Sequence, residues 1–85
     1  MATVEIYTTP FCGFCHAAKR LLTEKNVSFA ETDVSRSPEL REAMMERAFG
    51  RRTVPQIFID GKHVGGFNEL YALEQAGKLD ALLAA

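Results

Sequence analysis

Apolar and polar side chains alternate at the start of the chain, with Val4, Ile6 and Thr8 on one side and Glu5 and Tyr7 on the other. A period of two predicts a first strand. Thr9-Pro10 ends it, because proline lacks a donor and fixes φ. The period then changes. Cys15, Ala18, Leu21 and Leu22 recur at spacings of three and four, with Lys19, Arg20 and Glu24 off the stripe. That pattern predicts a helix with one apolar face, stopping at Asn26. Val27-Ser28-Phe29-Ala30-Glu31-Thr32 alternates again and predicts a second strand. Ser37 is a helix cap, Pro38 suits the first helical position and Glu39 complements the dipole. Leu40, Ala43, Met44, Arg47 and Ala48 keep helical spacing, and Gly50 closes that helix. Pro55-Gln56-Ile57-Phe58-Ile59 is a short apolar strand, Asp60-Gly61 a hairpin turn and Lys62-His63-Val64 the returning strand. Gly65-Gly66 breaks it. Leu70, Leu73, Ala76 and Leu79 give a third helical face, interrupted by Gly77, and Asp80 to Ala84 forms a last turn or two.

The element order is therefore β-α-β-α-β-β-α. A βαβ unit needs parallel strands and a right-handed crossover, and the second half ends in an antiparallel hairpin. The expected architecture is α/β, a mixed four-stranded sheet with helices on both faces. No repeat, linker or low-complexity tract divides the chain, so residues 1–85 are expected to form one domain.

Composition narrows the function classes. With 47% hydrophobic and 25% charged residues, the chain has enough apolar content to fold. Its apolar runs are only a few residues long, against the roughly 20 that a spanning helix requires. A net charge of −1 supplies no basic field for nucleic acid. The first residues, Met1-Ala2-Thr3-Val4-Glu5, lack a basic region followed by an apolar one, and a cytoplasmic location is the expectation.

The two cysteines, Cys12 and Cys15, are too few for a disulfide-stapled secreted fold, and so short a loop gains little from a bridge. They read as chemistry. Cys12 falls where the first strand hands over to the first helix, and Cys15 one turn later on the same face. Unpaired N–H groups and the positive dipole end favour an anion there, so the Cys12 thiol should ionise early. Cys15 lies on the apolar stripe and should be buried and protonated. At a pKa of ~8.5 a thiol is roughly 3% ionised at pH 7. Lowering it to ~5 raises that about 30-fold, while a Brønsted slope of ~0.45 removes a similar factor from nucleophilicity. The gain is in departure: Cys12 becomes a good leaving group. Cys12-x-x-Cys15-His16 also matches the haem c attachment pattern, but a strand leading into the motif does not suit helical haem carriers. Zinc needs four ligands, and only His16 and His63 could join the cysteines. Two plain buried cysteines would leave the turn Pro10-Phe11-Cys12-Gly13 unexplained.

Tyr7-Thr8-Thr9-Pro10-Phe11-Cys12-Gly13-Phe14-Cys15, then Thr53-Val54-Pro55, then Gly65-Gly66 resemble, in order and spacing, the three landmarks of a glutaredoxin of the small bacterial dithiol type. The resemblance covers nearly the whole chain and implies a thioredoxin-like fold. By itself a proline opening a strand is expected to be trans; the resemblance implies a cis Pro55. It also implies that the N–H and C=O of Val54 pair with glutathione like an added strand. Thr53, Pro55 and Gly66 line the groove, and the N–H groups of Phe67 and Asn68 meet the γ-glutamyl carboxylate. Asn68 and Glu69 stand where relatives carry two Asp residues. Asn68 keeps the helix-capping role without the charge, and Glu69 reaches the ligand's amine. Thr9 stands where many relatives carry Lys, so the glycyl carboxylate would take its cation from Arg51, beside Arg52. Phe14 is an apolar lid in place of the usual Tyr, and Gly13 in place of the usual Pro frees an N–H near Cys12.

The implied function is a glutathione-dependent thiol–disulfide oxidoreductase with Cys12 and Cys15 as its catalytic pair. Its implied partners are glutathione and glutathionylated or disulfide-containing proteins, ribonucleotide reductase among the candidates, and it is expected to act as a monomer. Two other readings stay open. One is a dimer bridged by a [2Fe-2S] cluster on Cys12 and two glutathiones, for which Gly13 speaks and Cys15 speaks against. The other is a redoxin reduced by thioredoxin reductase.

Overall fold

The computed structural model describes residues 1–85. The strands are β1 (Val4–Thr8), β2 (Ala30–Asp33), β3 (Gln56–Ile59) and β4 (Lys62–Gly65), and the helices α1 (Gly13–Glu24), α2 (Pro38–Arg47), α3 (Phe67–Gln75) and α4 (Leu79–Ala84). The sheet order is β2-β1-β3-β4. β1 pairs parallel with β2 and antiparallel with β3, and β3 pairs antiparallel with β4. The expected four-stranded mixed sheet is present.

Strand alternation sorts the core into two layers. Val4, Ile6, Ile57 and Ile59 point to one face, where Ala18 and Leu22 of α1, Leu70 of α3 and Leu79 and Leu83 of α4 cover them. Tyr7 and Phe58 point to the other, where Val34, Met44 of α2 and its C-cap residue Ala48 cover them. The second layer is thin. Leu40 and Ala43, expected on the buried stripe of α2, are exposed. Arg47 supplements the apolar contacts: its guanidinium lies 4.0 Å from the Phe58 ring centroid, donates to Glu5 at 2.9 and 3.1 Å and reaches the Tyr7 hydroxyl at 2.9 Å.

Several boundaries differ from expectation. β2 begins at Ala30, not Val27. Val27 and Phe29 do pack on the core, so the alternation is real. The Val27 N–H, however, is spent on the Leu22 carbonyl at 3.1 Å, closing α1 after a left-handed Asn26 (φ 60°). The left-handed residue that ends α2 is Phe49 (φ 57°), one before the expected Gly50, and the Gly50 N–H returns to Met45 at 2.8 Å. Leu79 belongs to α4 rather than α3, because Gly77 at φ 71° turns the chain between them. The start of α2 is as expected, with Ser37 Oγ accepting from the Leu40 N–H at 3.2 Å.

Acid should weaken this fold. The Arg47 guanidinium holds the Glu5 carboxyl below its usual range. The Thr8 hydroxyl, followed by Lys19, does so for Glu31, and the Ser35 N–H does so for Asp33. The unfolded chain therefore takes up protons first as pH falls. These contributions are complete above the unfolded carboxylate range near ~4 and disappear as pH drops through the lower folded values. The melting temperature should fall on moving from about pH 7 to about pH 3; an unchanged value would contradict the sign.

Candidate active site

β1 ends against the sheet interior, and the chain crosses Thr9-Pro10-Phe11 to reach Cys12, the N-cap of α1 with extended backbone (φ −126°, ψ 107°). Cys12 Sγ accepts the Cys15 N–H at 3.0 Å, and the Cys12 carbonyl accepts the His16 N–H at 3.1 Å. A cap must supply an acceptor to the orphan N–H groups of the first turn, and here that acceptor is sulfur. Cys15, one turn on, is fully buried, while Cys12 is half-buried and Gly13 and Phe14 are exposed. The two sulfurs form a disulfide, with Cα atoms 5.2 Å apart. His16 is exposed and its Nε2 lies 3.0 Å from the Pro10 carbonyl oxygen.

Across from Cys12 lies the segment Thr53-Val54-Pro55, whose Val54–Pro55 bond is cis. The Val54 carbonyl oxygen is 3.7 Å from Cys12 Sγ, within reach of a reduced thiol. Past the hairpin, Gly65 and Gly66 lead into α3. Gly65 has φ +125°, and a Cβ there would sit 2.5 Å from Glu69 Oε1 and 3.0 Å from Arg51 Nη1, so only glycine fits.

Phe14, Arg51, Thr53, Val54 and Pro55 meet Gly66, Phe67, Asn68 and Glu69 around a single open cleft of ≈ 210 Å³. These nine residues are the ones that sequence reasoning gathered from three separate segments. Their internal arrangement differs from expectation in two respects. The N-cap of α3 is Gly66, not Asn68, and Glu69 does the capping: its Oε1 accepts the Gly66 N–H at 2.6 Å. Arg51 is also engaged, with Nη1 donating to the same Oε1 at 3.1 Å. The Gly66 N–H, and then Arg51, keep the Glu69 carboxyl below the usual range. The N–H groups of Phe67 and Asn68, in the first turn of α3, have no acceptor within the helix, and both residues line the cleft.

Tyr71, Gln56 and His63, which the sequence does not mark as site residues, join the surroundings of the cleft. Phe14 stacks on Phe67 with centroids 6.1 Å apart, and Phe67 on Tyr71 at 5.6 Å. The i, i+4 spacing of Phe67 and Tyr71 was the available signal. Beneath the cis-proline segment, the buried Gln56 bonds Thr53 and His63. No periodicity marks that contact.

The glutaredoxin family model matches residues 4–64, and the chain is 54% identical over 83 residues to Glutaredoxin 3 of Escherichia coli K12, covering 98% of this chain and 99% of that protein. The chain belongs to the glutaredoxin family. Its activity is that of a thiol–disulfide oxidoreductase, and the Cys12–Cys15 disulfide is the oxidised form of its redox couple. The solution structure of the Brucella melitensis glutaredoxin superposes with a TM-score of 0.85 at 57% identity, covering 98% of this chain and 89% of that one. A buckwheat glutaredoxin–glutathione complex superposes at 0.88 with 26% identity, over 98% of this chain and 77% of that one. The expected thioredoxin-like architecture is thus the glutaredoxin architecture.

Proposed function

We propose that this glutaredoxin draws its electrons from glutathione and uses them to release proteins from mixed disulfides with glutathione and to reduce protein disulfides. The observation that carries the reading is the cleft beside Cys12. It combines the backbone of Val54 along its lining, the first-turn N–H groups of α3, a guanidinium at Arg51 and a carboxylate at Glu69. A tripeptide with two carboxylates, one amine and one sulfur presents the complementary groups. The likeness to a plant glutaredoxin solved with glutathione supports it.

The chemistry balances as follows. Cys12 thiolate attacks the glutathione sulfur of a protein–S–S–glutathione disulfide, forming Cys12–S–S–glutathione while the protein thiolate leaves and is protonated. A second glutathione thiolate attacks the glutathione sulfur of that intermediate, giving oxidised glutathione and regenerating Cys12 thiolate. With a protein disulfide, Cys12 forms the mixed disulfide and Cys15 attacks the Cys12 sulfur. Two protein thiols leave, and two glutathiones reduce the Cys12–Cys15 bond. The Cys15 N–H that points at Cys12 Sγ stabilises the thiolate at each departure.

In this scheme the shared Glu69 Oε1 sets the ligand geometry. Glu69 keeps its cap on Gly66 and offers the other oxygen to the γ-glutamyl amine, while Arg51 turns toward a ligand carboxylate. An NMR titration of the Cys15→Ser protein with oxidised glutathione should load Cys12 and move the amide signals of Val54, Phe67 and Asn68. Arg51→Ala should weaken loading about three- to tenfold, as expected for one exposed charge-assisted contact. Loading that leaves those amides unmoved would remove glutathione from this cleft.

A further inference from the structure

Gln56 is the one fully buried side-chain amide in the sheet, and all of its polar atoms are used. Nε2 donates to the Thr53 carbonyl at 2.9 Å and lies 3.3 Å from Thr53 Oγ1. Oε1 is 2.6 Å from His63 Nε2. The directions follow from one another. The Thr53 carbonyl can only accept, so the Gln56 nitrogen must face it. Oε1 then faces His63, whose Nε2 must carry the proton. That ring is held in turn on β4, opposite Phe58, with ring centroids 5.2 Å from Phe58 and 5.7 Å from Phe49. A relay of donors thus runs from β4 through β3 to the backbone one residue before Val54.

The other side-chain contacts to this stretch come from Cys12, whose Sγ lies against the Val54 carbonyl, and from Arg41, which donates to the Arg52 carbonyl at 2.8 Å; Gln56 alone bonds Thr53. Thr53 is exposed and Val54 only half-buried. The segment nevertheless has to present Val54 at a defined height above Cys12, whose sulfur is 3.7 Å from the Val54 carbonyl. A buried amide that satisfies a loop carbonyl and is itself satisfied from the neighbouring strand restricts that height, because breaking either bond leaves a polar group without a partner. We infer that Gln56 and His63 are a positioning pair that holds Thr53–Pro55 where Val54 meets the substrate disulfide. The pair touches no reacting atom; it acts through the Thr53 carbonyl. The inference rests on the proposed glutathione reading for the identity of that substrate.

Steady-state kinetics on the full chain, with a glutathionylated peptide, glutathione and glutathione reductase, test it. Gln56→Met keeps the volume and removes both bonds. Its KM for the peptide should rise about tenfold with kcat changed less than about twofold, the size expected for one buried partner left unsatisfied. His63→Phe keeps the ring between Phe49 and Phe58 but cannot donate, and should raise KM by a similar factor. His63→Gln restores a donor and should return KM to within about threefold of the unaltered protein. KM does not depend on the fraction of protein that folds, and the alkylation rate of reduced Cys12 should be unchanged in all three. An unchanged KM in Gln56→Met, or a His63→Gln protein as impaired as His63→Phe, would overturn the pair's role. If the unaltered protein reduces a disulfide peptide but not the glutathionylated one, it is the glutathione reading that fails. The same KM comparison is then made on the disulfide peptide, with the same outcomes deciding.

Discussion

Replacing Cys12 by serine should lower turnover of a glutathionylated peptide to below about one thousandth, because a hydroxyl at neutral pH supplies almost no anionic nucleophile. Replacing Cys15 by serine should leave that same turnover within about threefold. The asymmetry follows from position. Cys12 caps α1 at the edge of the cleft, with an N–H aimed at its sulfur, whereas Cys15 is sealed in the core and can reach only the Cys12 sulfur. Protein disulfides should behave differently. Without Cys15 their mixed disulfide with Cys12 must wait for an external thiol. Oriented intramolecular attack commonly corresponds to effective concentrations far above those of free thiols, so turnover should drop at least about a hundredfold and the mixed disulfide should be visible by mass spectrometry. A Cys12→Ser protein that still turned over the glutathionylated peptide, or a Cys15→Ser protein that lost both activities equally, would invalidate this division of roles.

The largest effect on stability should come from Phe58→Ala. Phe58 is 1% exposed, packs edge-on against Tyr7 at 5.7 Å and carries the Arg47 guanidinium on its face. Truncating such a ring costs about 3–5 kcal/mol. At roughly 0.05–0.15 kcal/mol per residue, the chain has a total stability of about 4–13 kcal/mol, so the loss is a large share. The damage should be local as well as global. α2 rests on this layer through Met44, the partly buried Met45, the Arg47 guanidinium and the C-cap residue Ala48, with Val34 and Tyr7 beside them, while α1 rests on the larger layer. Thermal unfolding should shift down by at least about 12 °C. Hydrogen exchange should show the α2 amides opening before those of α1. A shift under about 4 °C, or α2 protected as well as α1, would mean that the second layer is held by something other than this ring.

Much of the fold was legible because its signals are local. The change from a two-residue to a three-to-four-residue period at Cys12, the Ser37-Pro38 start of α2 and the Asp60-Gly61 turn each depend on a few neighbouring residues and stand where expected. The misjudged boundaries lie where two structures compete for one backbone group. Val27 alternates like a strand residue, yet its N–H closes α1. Leu40 and Ala43 have the right spacing for a buried stripe, but only one sheet face lies under α2 and it is filled by Met44 and Ala48.

For the site the same division holds. The positions of both cysteines, and so their different exposure, follow from strand, turn and helix periodicity in consecutive residues. Periodicity alone leaves Thr53-Val54-Pro55 and Gly65-Gly66 as unrelated punctuation, and the family resemblance was needed to bring them to Cys12. Neither source foretold that Glu69 rather than Asn68 caps α3, that Arg51 shares its oxygen, or that Gln56 ties Thr53 to His63. The chain by itself determined the order of strands, turns and helices and which sulfur sits at a helix start, since hydrogen-bonding periodicity and side-chain shape act over a few residues. Which polar groups become partners was decided only by the folded structure. Those partners are up to 42 residues apart in the pairs described, as in Cys12 with Val54 and Glu5 with Arg47, and only the packing of strands and helices sets the distances between them.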